Sequence, residues 1–403
     1  MVILVLNCGS SSVKYQVIDM ASESSHELLA KGIIERIGGN GDGVLKHKPT
    51  GKDKYEAWMP IPDHTEGVRI VLKALLDEEH GVIKSLDEVK AVGHRVAHGG
   101  EFFSESAIVT PEVEDKIRQL FEIAPLHNPA NLAGILSIDE VLPGIPQVAV
   151  FDTSFHQTIP AFNYLYAIPM EYYEKYRVRK YGFHGTSHKF VAQKGAKMAG
   201  LDFNNSKIIT CHVGNGGSVT AILNGKSFDT SMGFSPLDGL VMGTRSGSID
   251  VSAAAYIAQH EGWDYDKLLS VLNKESGVMG LTQISSDMRD IDDEYEKGNE
   301  IAIIARDMHY SRVKRYVAQY AAIMGGVDMV IFTGGVGENS HDLKVYVASE
   351  MEFMGIELDV ELTNKSRNMD IILSKPTSKV VVAMIETDEE VVIATDTYNL
   401  LKK

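Results

Sequence analysis

The first stretch of the chain passes from an apolar run through a polar turn to an alternating run. Residues 2–6 read VILVL, which is typical of a buried strand, and residues 13–18 read VKYQVI. Small polar residues lie between the two runs, and they are the usual residues of turns. The pattern predicts strands at Val2–Leu6 and Val13–Ile18 joined by a polar turn. A plain hairpin and a ligand-binding loop both fit it.

The same plan returns in the middle of the chain. A strand at Lys207–Val213, a Gly-rich turn and a strand at Ser218–Leu223 repeat it, and a third Gly-rich turn at 333–339 follows a strand at Met329–Phe332. The repetition predicts a duplicated fold with two similar halves. Because glycine has no Cβ, such turns let backbone N–H groups approach phosphate oxygens. Three of them suit the phosphate chain of a nucleotide.

The remaining pattern predicts an α/β fold, since strands and helices alternate to the C-terminus. Helical periodicity occurs at Thr65–Glu79 and at Thr110–Ile123, where Thr110 is the predicted N-cap and Pro111 the first helical residue. The Gly-rich stretch 37–54 predicts an exposed hairpin tip or loop.

Length and composition restrict the class of protein. At about 150 residues per domain, 403 residues predict two or three domains. A net charge of −16 argues against non-specific binding to nucleic acid or to an anionic membrane. Two cysteines, Cys8 and Cys211, are too few for a disulfide framework and fit a reducing compartment, the cytoplasm. The five-residue apolar start is too short for a signal peptide or a membrane span.

Several motifs of other enzyme classes do not occur. The sequence contains no GxxxxGK[ST] P-loop and no GxGxxG that opens a helix, so neither a P-loop enzyme nor a Rossmann dehydrogenase is supported. A hydrolase that uses Ser, His and Asp would carry a GxSxG elbow, which is also missing.

Motifs along nearly the whole chain resemble those of the acetate and propionate kinase family, which has the duplicated actin-like ATPase fold of ribonuclease H-like domains, shared with sugar kinases. In chain order these motifs are NCGSSSVKY, GHRVAHGGE, PLHNP, VFDTSFHQTIP, YGFHGTSH, HVGNGGS, MGTRSGSID, FTGGVGENS and TDEE. The resemblance implies a homodimer, a nucleotide cleft, ATP/ADP as co-substrate and Mg²⁺ or Mn²⁺. It also implies reversible in-line phosphoryl transfer to acetate, giving acetyl phosphate.

The resemblance further implies two domains. The N-terminal domain would comprise residues 1–152 plus 387–403 and carry the first phosphate loop. It would be discontinuous because the final helix carries a ligand for the same metal as Asn7. Residues 153–386 would form the C-terminal nucleotide-binding domain.

The acceptor site centres on Arg95, in the run AVGHRVAHGG. Alternation along a strand would put Arg95 and Ala97 on one face, with a charge clamp beside an apolar patch. The alternative for Arg95 is a surface ion pair. The family pocket also matches three further positions, Leu126, Phe183 and Pro236.

The catalytic positions implied by the resemblance are Asp152, His184 and Arg245. Asp152 follows the apolar strand Gln147–Phe151, so its carboxylate should emerge at the carboxyl end of that strand, although turn aspartates are common. Since acetate is already ionised near neutral pH, Asp152 would order water on the metal or orient the acceptor rather than abstract a proton. His184 would donate to a phosphoryl oxygen. Arg245 would stabilise the transferring group, its alternative being a loop arginine bound to a carbonyl.

Two other histidines can be considered as zinc ligands. His94 and His98 have the i, i+4 spacing of a zinc pair on a helix, but Gly99, Gly100 and the alternating pattern predict a strand, so a zinc site is not expected. His127 is interpreted as structural or as a neighbour of the site.

The resemblance also implies a nucleotide site and a metal site. Thr387 and Glu390 have capping-box spacing, which leaves Glu389 free to bind the metal together with Asn7. The implied nucleotide contacts are Lys14, His212, Val213, Gly214, Asn215, Gly216, Asp287, Met288, Arg289, Gly335, Val336, Gly337, Glu338 and Asn339.

Substrate choice is left open by Ala97. Acetate kinases tend to have Val at this position and propionate kinases Ala, and one methylene is worth about 1–3 kcal/mol of discrimination. A propionate kinase with acetate as second substrate is therefore one alternative. A non-catalytic actin-like ATPase is the other, and it would need no acceptor site. A sugar kinase would want polar pocket residues in place of Ala97, Leu126 and Phe183.

Overall fold

The computed structural model describes residues 1–39 and 41–402, which form two compact units. The first unit comprises Met1–Ser154 and the chain from Asp388 onward, and the second unit comprises Phe155–Thr387. Whether these units are the predicted functional domains stays a prediction.

Along the described residues, strands and helices occur mostly in runs of one type, with up to five strands or five α-helices in succession. The strands are β1 (Val2–Gly9), β2 (Ser12–Ser22), β3 (Ser25–Glu35), β4 (Gly43–Pro49), β5 (Tyr55–Met59), β6 (Val89–Val96), β7 (Ala107–Ile108), β8 (Gln147–Phe151), β9 (Lys207–Val213), β10 (Gly217–Leu223), β11 (Lys226–Thr230), β12 (Met329–Thr333), β13 (Ile371–Ile372) and β14 (Val381–Met384). The helices are α1 (His64–Leu76), α2 (Pro111–Gln119), α3 (Asn128–Val141), α4 (Ala161–Tyr164), α5 (Met170–Tyr176), α6 (Gly185–Ala199), α7 (Val251–Glu261), α8 (Tyr265–Lys274), α9 (Gly277–Thr282), α10 (Met288–Glu296), α11 (Glu300–Ile323), α12 (Gly334–Asn339), α13 (His341–Ala348), α14 (Val360–Lys365) and α15 (Glu389–Leu401).

The two sheets share one plan. The first unit has an eight-stranded sheet in the order β5-β4-β3-β2-β1-β6-β8-β7, and the second unit has a six-stranded sheet in the order β11-β10-β9-β12-β14-β13. In each sheet the first strand of a hairpin runs antiparallel to the second and parallel to a later strand, as β1 does to β2 and β6 and as β9 does to β10 and β12. The predicted α/β class and duplicated fold are confirmed.

Helices cover both faces of the first sheet. Buried side chains of α1 and α3, such as Val68 and Ile138, join one apolar cluster with the strands, and Ile393 and Tyr398 of α15 join another cluster with Ile3 and Val5. A Cβ on Gly93 of β6 would lie 2.6 Å from Ile393 Cγ2, so this glycine lets α15 approach the strand. The C-terminal helix is therefore held by the first sheet.

The second sheet is packed in the same way. Ile209 and Val330 join a cluster that includes Val313 and Val317 of α11, while Ile331 joins a separate cluster with buried residues of α6. Successive residues of β9 and β12 thus contribute to different clusters, as expected for strands buried on both faces. This packing fixes the strand ends from which the site residues emerge.

Three predicted loops are shorter or more regular than expected. The turn predicted after Leu6 is confined to Ser10 and Ser11, because β1 and β2 pair from Val2 to Gly9 and Asn7 lies opposite Lys14. The stretch predicted as a loop at 37–54 contains β4, whose alternation is carried by lysines and was hidden by the glycines; Asn40 lies outside the described residues. The third Gly-rich turn is a short helix, α12, preceded by Thr333.

Helix ends follow their capping residues. The helix predicted at Thr65–Glu79 spans His64–Leu76, capped by Asp63, and the one predicted at Thr110–Ile123 ends at Gln119. Its predicted cap is confirmed, because Thr110 accepts a hydrogen bond from Val113 N. Within the described residues, no helix is both long and apolar enough to cross a bilayer.

Three fully buried histidines link stability to pH. Burial lowers the pKa of His94, His156 and His309 to about 4 from an ordinary value of 6.5. Between these two pH values the unfolded chain binds protons that the folded chain does not bind. The free energy of unfolding should therefore fall as the pH falls from 6.5 to 4, by about 1.4 kcal/mol per pH unit for each such histidine.

The variant His156→Gln tests this expectation. Urea unfolding at several pH values between 4 and 6.5 gives the slope of the unfolding free energy against pH. In the variant this slope should be smaller than in the wild type by about 1.4 kcal/mol per pH unit, the contribution of one proton. An unchanged slope would mean that His156 does not stay neutral in the folded chain.

Candidate active site

The first unit gathers its polar side chains at the ends of β6 and β8. These strands are parallel neighbours, and Val96 is paired with Phe151, so Arg95 near the end of β6 lies beside Asp152 just after β8. Arg95 Nε donates to both carboxylate oxygens of Asp152 at 3.1 Å, and Arg95 Nη2 donates to Asp152 Oδ2 at 2.6 Å. The predicted charge clamp is thus already held by a carboxylate in this structure.

The environment of this ion pair is only partly open to solvent. The side chain of Asp152 is 2% exposed and that of Arg95 is 27% exposed. The Asp152 carboxylate raises the pKa of Arg95 above its ordinary value, so the guanidinium stays charged. Arg95 Nη1 points to Asn7 Oδ1 at 3.4 Å, which connects the pair to the first hairpin.

Backbone contacts fix the segment that follows Arg95. Ala97 is buried and lies one residue beyond the end of β6, so the predicted strand does not extend to it. That it lies on the same face as Arg95 stays a prediction. Ala97 N donates to Asn131 Oδ1 at 2.9 Å, and His98 N donates to Asn128 Oδ1 at 3.1 Å. The side-chain oxygens of Asn131 and Asn128 thus accept the backbone hydrogen bonds that a neighbouring strand would otherwise accept.

Asn128 and Asn131 were missed by the sequence reasoning. Their signal is a pair of asparagines three apart at the start of α3, in PLHNPAN. Leu126, by contrast, is 60% exposed, and its side chain joins none of the described apolar clusters.

The start of α15 adds a carboxylate to the first unit. Asp388 is the N-cap, since its side chain accepts from Val391 N at 3.0 Å, so the predicted capping box of Thr387 and Glu390 is wrong. Glu389 is the first helical residue. Burial and the neighbouring Asp152 carboxylate raise its pKa, while Arg95 acts in the opposite direction. Glu389 therefore lies in the same electrostatic cluster as the ion pair.

The oxygen donors of this cluster suit a metal that brings most of its own ligands. In residues 1–39 and 41–402, no group of three or more His, Cys, Asp and Glu side chains could hold a metal ion. Mg²⁺ commonly takes one or two protein carboxylates together with substrate phosphates and water. Asn7 and Glu389, one amide and one carboxylate, fit such a site.

In the second unit, His184 stands at a strained position. It precedes α6 with φ 57°, in the left-handed region that few non-glycine residues adopt. Its Nδ1 lies 2.9 Å from Ser218 Oγ, and its ring stacks on that of His212 with centroids 4.4 Å apart. The adjacent Phe183 is buried, and its carbonyl lies 2.9 Å from His156 Nε2.

The second Gly-rich loop, His212–Gly216, packs against the loop that carries Arg245. Arg245 Nη1 donates to the carbonyl of Pro236 at 3.2 Å, and a Cβ on Gly216 would lie 3.4 Å from that same nitrogen. A Cβ on Gly243 would lie 1.8 Å from Asn215 Oδ1 and 2.9 Å from the carbonyl oxygen of Ser286, so glycine allows a close approach there. Arg245, Pro236 and the phosphate loop are thus brought together in the second unit, and the carbonyl contact anticipated as an alternative for Arg245 is present.

The two segments predicted to bind the adenosine end of the nucleotide form hydrogen bonds and ion pairs mainly within themselves. Glu338 Oε1 accepts from Gly334 N at 2.9 Å and from Thr387 N at 3.1 Å, so this side chain stabilises its own loop. Asp287 caps α10 and pairs with Arg289, and Met288 is buried in the core. Gly335 is exposed, and apart from its chain neighbours and the backbone of its own helix, no atom of the described residues lies within 4 Å of a Cβ built on it.

A buried lysine supports the GGVGEN segment and was not predicted. Lys344 is 0% exposed, and its Nζ donates to the carbonyls of Gly337 and Glu338 at 3.0 and 3.2 Å. Burial lowers its pKa to about 8. In the sequence it is an ordinary lysine of a short helix, so only the packing reveals its part.

The structure therefore assigns the predicted residues to two separate groups. Within the first unit, Arg95 contacts both Asn7 and Asp152, and the Glu389 carboxyl senses the charges of Arg95, Asp152 and Lys14. Leu126 does not join this group through any of those contacts. The second unit holds Phe183, His184, His212, Val213, Gly214, Asn215, Gly216, Pro236, Arg245, Asp287, Met288, Arg289, Gly335, Val336, Gly337, Glu338 and Asn339.

The duplicated sheets with Gly-rich segments after β9 and β12 define a protein of the actin-like ATPase fold. The model of the Acetokinase family matches residues 2–395. The acetate kinases of Phocaeicola vulgatus and Bacteroides thetaiotaomicron are each 51% identical to this chain over 100% of both sequences. The chain belongs to the acetokinase family and is a kinase.

Two solved structures extend the comparison. The Porphyromonas gingivalis acetate kinase has a TM-score of 0.95 and 46% identity, with 99% of each chain covered. A propionate kinase of Francisella tularensis has a TM-score of 0.91 and 38% identity, again with 99% of each chain covered.

Proposed function

We propose that this chain catalyses the reversible transfer of the γ-phosphoryl group of ATP to acetate, giving acetyl phosphate and ADP. An oxygen of the acetate carboxylate forms a bond to the γ-phosphorus, and the bond from that phosphorus to the β,γ-bridging oxygen breaks, so its electron pair leaves with ADP. Full-length identity near half to enzymes named acetate kinase supports this reaction. The structural observation that carries it is Arg95, a charged guanidinium that pairs with the buried Asp152 and lies two residues before the buried Ala97.

Arg95 binds the acceptor carboxylate. The Asp152 carboxylate accepts hydrogen bonds from Nε–H and from one N–H of Nη2. The guanidinium therefore has further donors for a second carboxylate. Because acetate is already ionised near neutral pH, no base is needed, and Asp152 orients Arg95 and the water around the acceptor. The residues proposed for the alkyl group are Ala97 and Leu126 of the first unit and Phe183 and Pro236 of the second unit.

Phosphoryl transfer between two anions depends on donors placed where negative charge accumulates. His184 donates to an equatorial phosphoryl oxygen. Arg245 supplies a full positive charge, and its closeness to Gly216 of the phosphate loop supports this role. Loss of either donor typically costs about 10²–10³ in rate.

The nucleotide is bound by Lys14 and by the Gly-rich segments of the second unit. Backbone N–H groups of His212–Gly216 contact the phosphates, and the segments Asp287–Arg289 and Gly335–Asn339 hold the adenosine end. The exposed Gly335 leaves room for a base at close range. Asn7 and Glu389 hold Mg²⁺ or Mn²⁺, which neutralises phosphate charge when it is bound.

A hydroxylamine trap tests the reaction directly. Wild-type protein with ATP, Mg²⁺ and acetate should yield acyl hydroxamate, and omission of either ATP or acetate should abolish it. ATP hydrolysis without any trapped acyl group would instead favour an actin-like ATPase.

Propionate is proposed as a good second substrate. Ala97 leaves space for one more methylene than valine would, and the Francisella tularensis relative is a propionate kinase. In the same trap, Ala97→Val should lower kcat/KM for propionate about 10-fold to 100-fold while leaving acetate within about threefold. Equal losses for the two acids would separate Ala97 from chain-length selection.

A homodimer is proposed through an apolar groove of the second unit. The groove lies between α7, α8, α9 and α11, and Ile249, Ile257, Leu281 and Met308 are exposed in its lining. An apolar surface of this kind is unusual in a monomer, and a second copy of the chain would bury it.

A charge placed in the groove tests the dimer. Ile257→Glu should shift the mass from light scattering after size-exclusion chromatography from two chains to one, because an unpaired carboxylate would be buried at the interface. The matched control is Phe353→Glu, at a position that is 82% exposed and outside the groove, which should stay dimeric. A wild-type monomer, or an Ile257→Glu dimer, would refute this interface.

A further inference from the structure

A relay of hydrogen bonds, formed by the buried residues Thr210, His188 and Ser218, leads to His184. Thr210 Oγ1 lies 2.6 Å from His188 Nδ1, His188 Nε2 lies 2.7 Å from Ser218 Oγ, and Ser218 Oγ lies 2.9 Å from His184 Nδ1. Thr210, His188 and Ser218 are all 0% exposed, whereas His184 is half-buried. Of these four residues, His184 is therefore the one that solvent reaches.

The hydrogen bonds of this relay can all donate in only one direction. Among the residues that the structure describes, the hydrogen-bond partner of Thr210 Oγ1 is His188 Nδ1. If His188 donated to Thr210, the proton of the buried hydroxyl would lack an acceptor, which costs about 1–3 kcal/mol. Thr210 therefore donates, and His188 Nδ1 accepts.

The direction passes on through His188. Burial lowers the pKa of His188 well below its ordinary value, so the ring is neutral and carries one proton. Since Nδ1 accepts, that proton is on Nε2 and is donated to Ser218 Oγ. The single hydroxyl proton of Ser218 is then left to be donated to His184 Nδ1.

The last step sets the state of His184. A ring that accepts at Nδ1 carries its proton on Nε2 when neutral. A protonated His184 would make Ser218 accept from two imidazoles and donate to none. The hydrogen bonds thus keep Nδ1 of His184 an acceptor and place its proton on Nε2, which is a fixed donor.

We propose that Thr210, His188 and Ser218 are positioning residues that fix the tautomer of His184, so that its Nε2–H is preset to donate to the transferring phosphoryl group. This inference rests on the proposed function for the role of His184, but the proton positions do not depend on it. The ligand class is a phosphoryl oxygen, which accepts hydrogen bonds, and a ring whose single proton is on Nδ1 could not donate to it from Nε2. The two strands that carry Thr210 and Ser218, β9 and β10, hold the relay rigidly.

The variant Thr210→Val tests the relay at its far end. It keeps the shape of the side chain, removes the first donor and touches neither substrate. We expect kcat to fall about 10-fold to 100-fold, with KM for ATP and for acetate within about twofold. Thr210→Ser, which restores the hydroxyl, should recover most of kcat.

The matched control is Thr220→Val. Thr220 is equally buried on β10, but its hydroxyl pairs with Thr230 Oγ1 at 2.8 Å, outside the relay. This variant should keep the wild-type kcat. Equal losses in Thr210→Val and Thr220→Val would overturn the proposal, because they would reflect packing alone.

Imidazole ¹⁵N NMR supplies a readout that needs no turnover. With His184 assigned by comparison with His184→Asn, the wild-type spectrum should have the proton on Nε2, and Ser218→Ala should shift the population toward Nδ1. A proton on Nδ1 in the wild type would overturn the relay. A spectrum with the proton on Nε2, combined with no acyl hydroxamate in the trap, would refute the proposed function but support the tautomer assignment.

Discussion

The ion pair between Arg95 and Asp152 is the interaction on which the first unit's site depends. Asp152 is almost fully buried, and a buried carboxylate without a partner would be costly, so Arg95 must stay where β6 and β8 end side by side. This requirement places a guanidinium at the carboxyl edge of the sheet. The same guanidinium reaches Asn7 on the first hairpin and offsets the burial of Glu389 at the start of α15. One ion pair therefore links the residues at the proposed acceptor and metal positions.

The second unit positions His184, one of its two catalytic candidates, with hydrogen bonds from uncharged groups. Thr210, His188 and Ser218 are arranged so that each buried donor meets an acceptor. Phosphoryl transfer needs both solutions, a charge to hold an anion and a directed N–H to receive developing charge. In the first unit the ion pair lies at the ends of β6 and β8, and in the second unit Thr210 and Ser218 lie on β9 and β10.

The fold could be predicted from the sequence where the pattern was long and regular. The apolar strands at 2–6 and 207–213 and their Gly-rich turns indicated the duplication, because a strand buried on both faces is apolar throughout. The prediction failed where backbone pairing outweighed composition, as in β4 with its lysines and in α12 with its glycines. The cap of α15 is Asp388 rather than Thr387, a choice between adjacent residues that side-chain type alone does not make. Likewise the pairing of Arg95 with Asp152, the buried Lys344 and the relay behind His184 join residues far apart in sequence, so they follow from packing and carry no local signal.

The most direct test of the account is a double-mutant cycle on kcat/KM for acetate with Arg95→Gln, Asp152→Asn and the double variant. If Asp152 acts by orienting Arg95, the second substitution should add little to the loss caused by the first, and the double variant should match Arg95→Gln within about threefold. Losses that multiply would contradict this, because they would mean that the two residues serve the reaction independently and that their ion pair does not build the acceptor site.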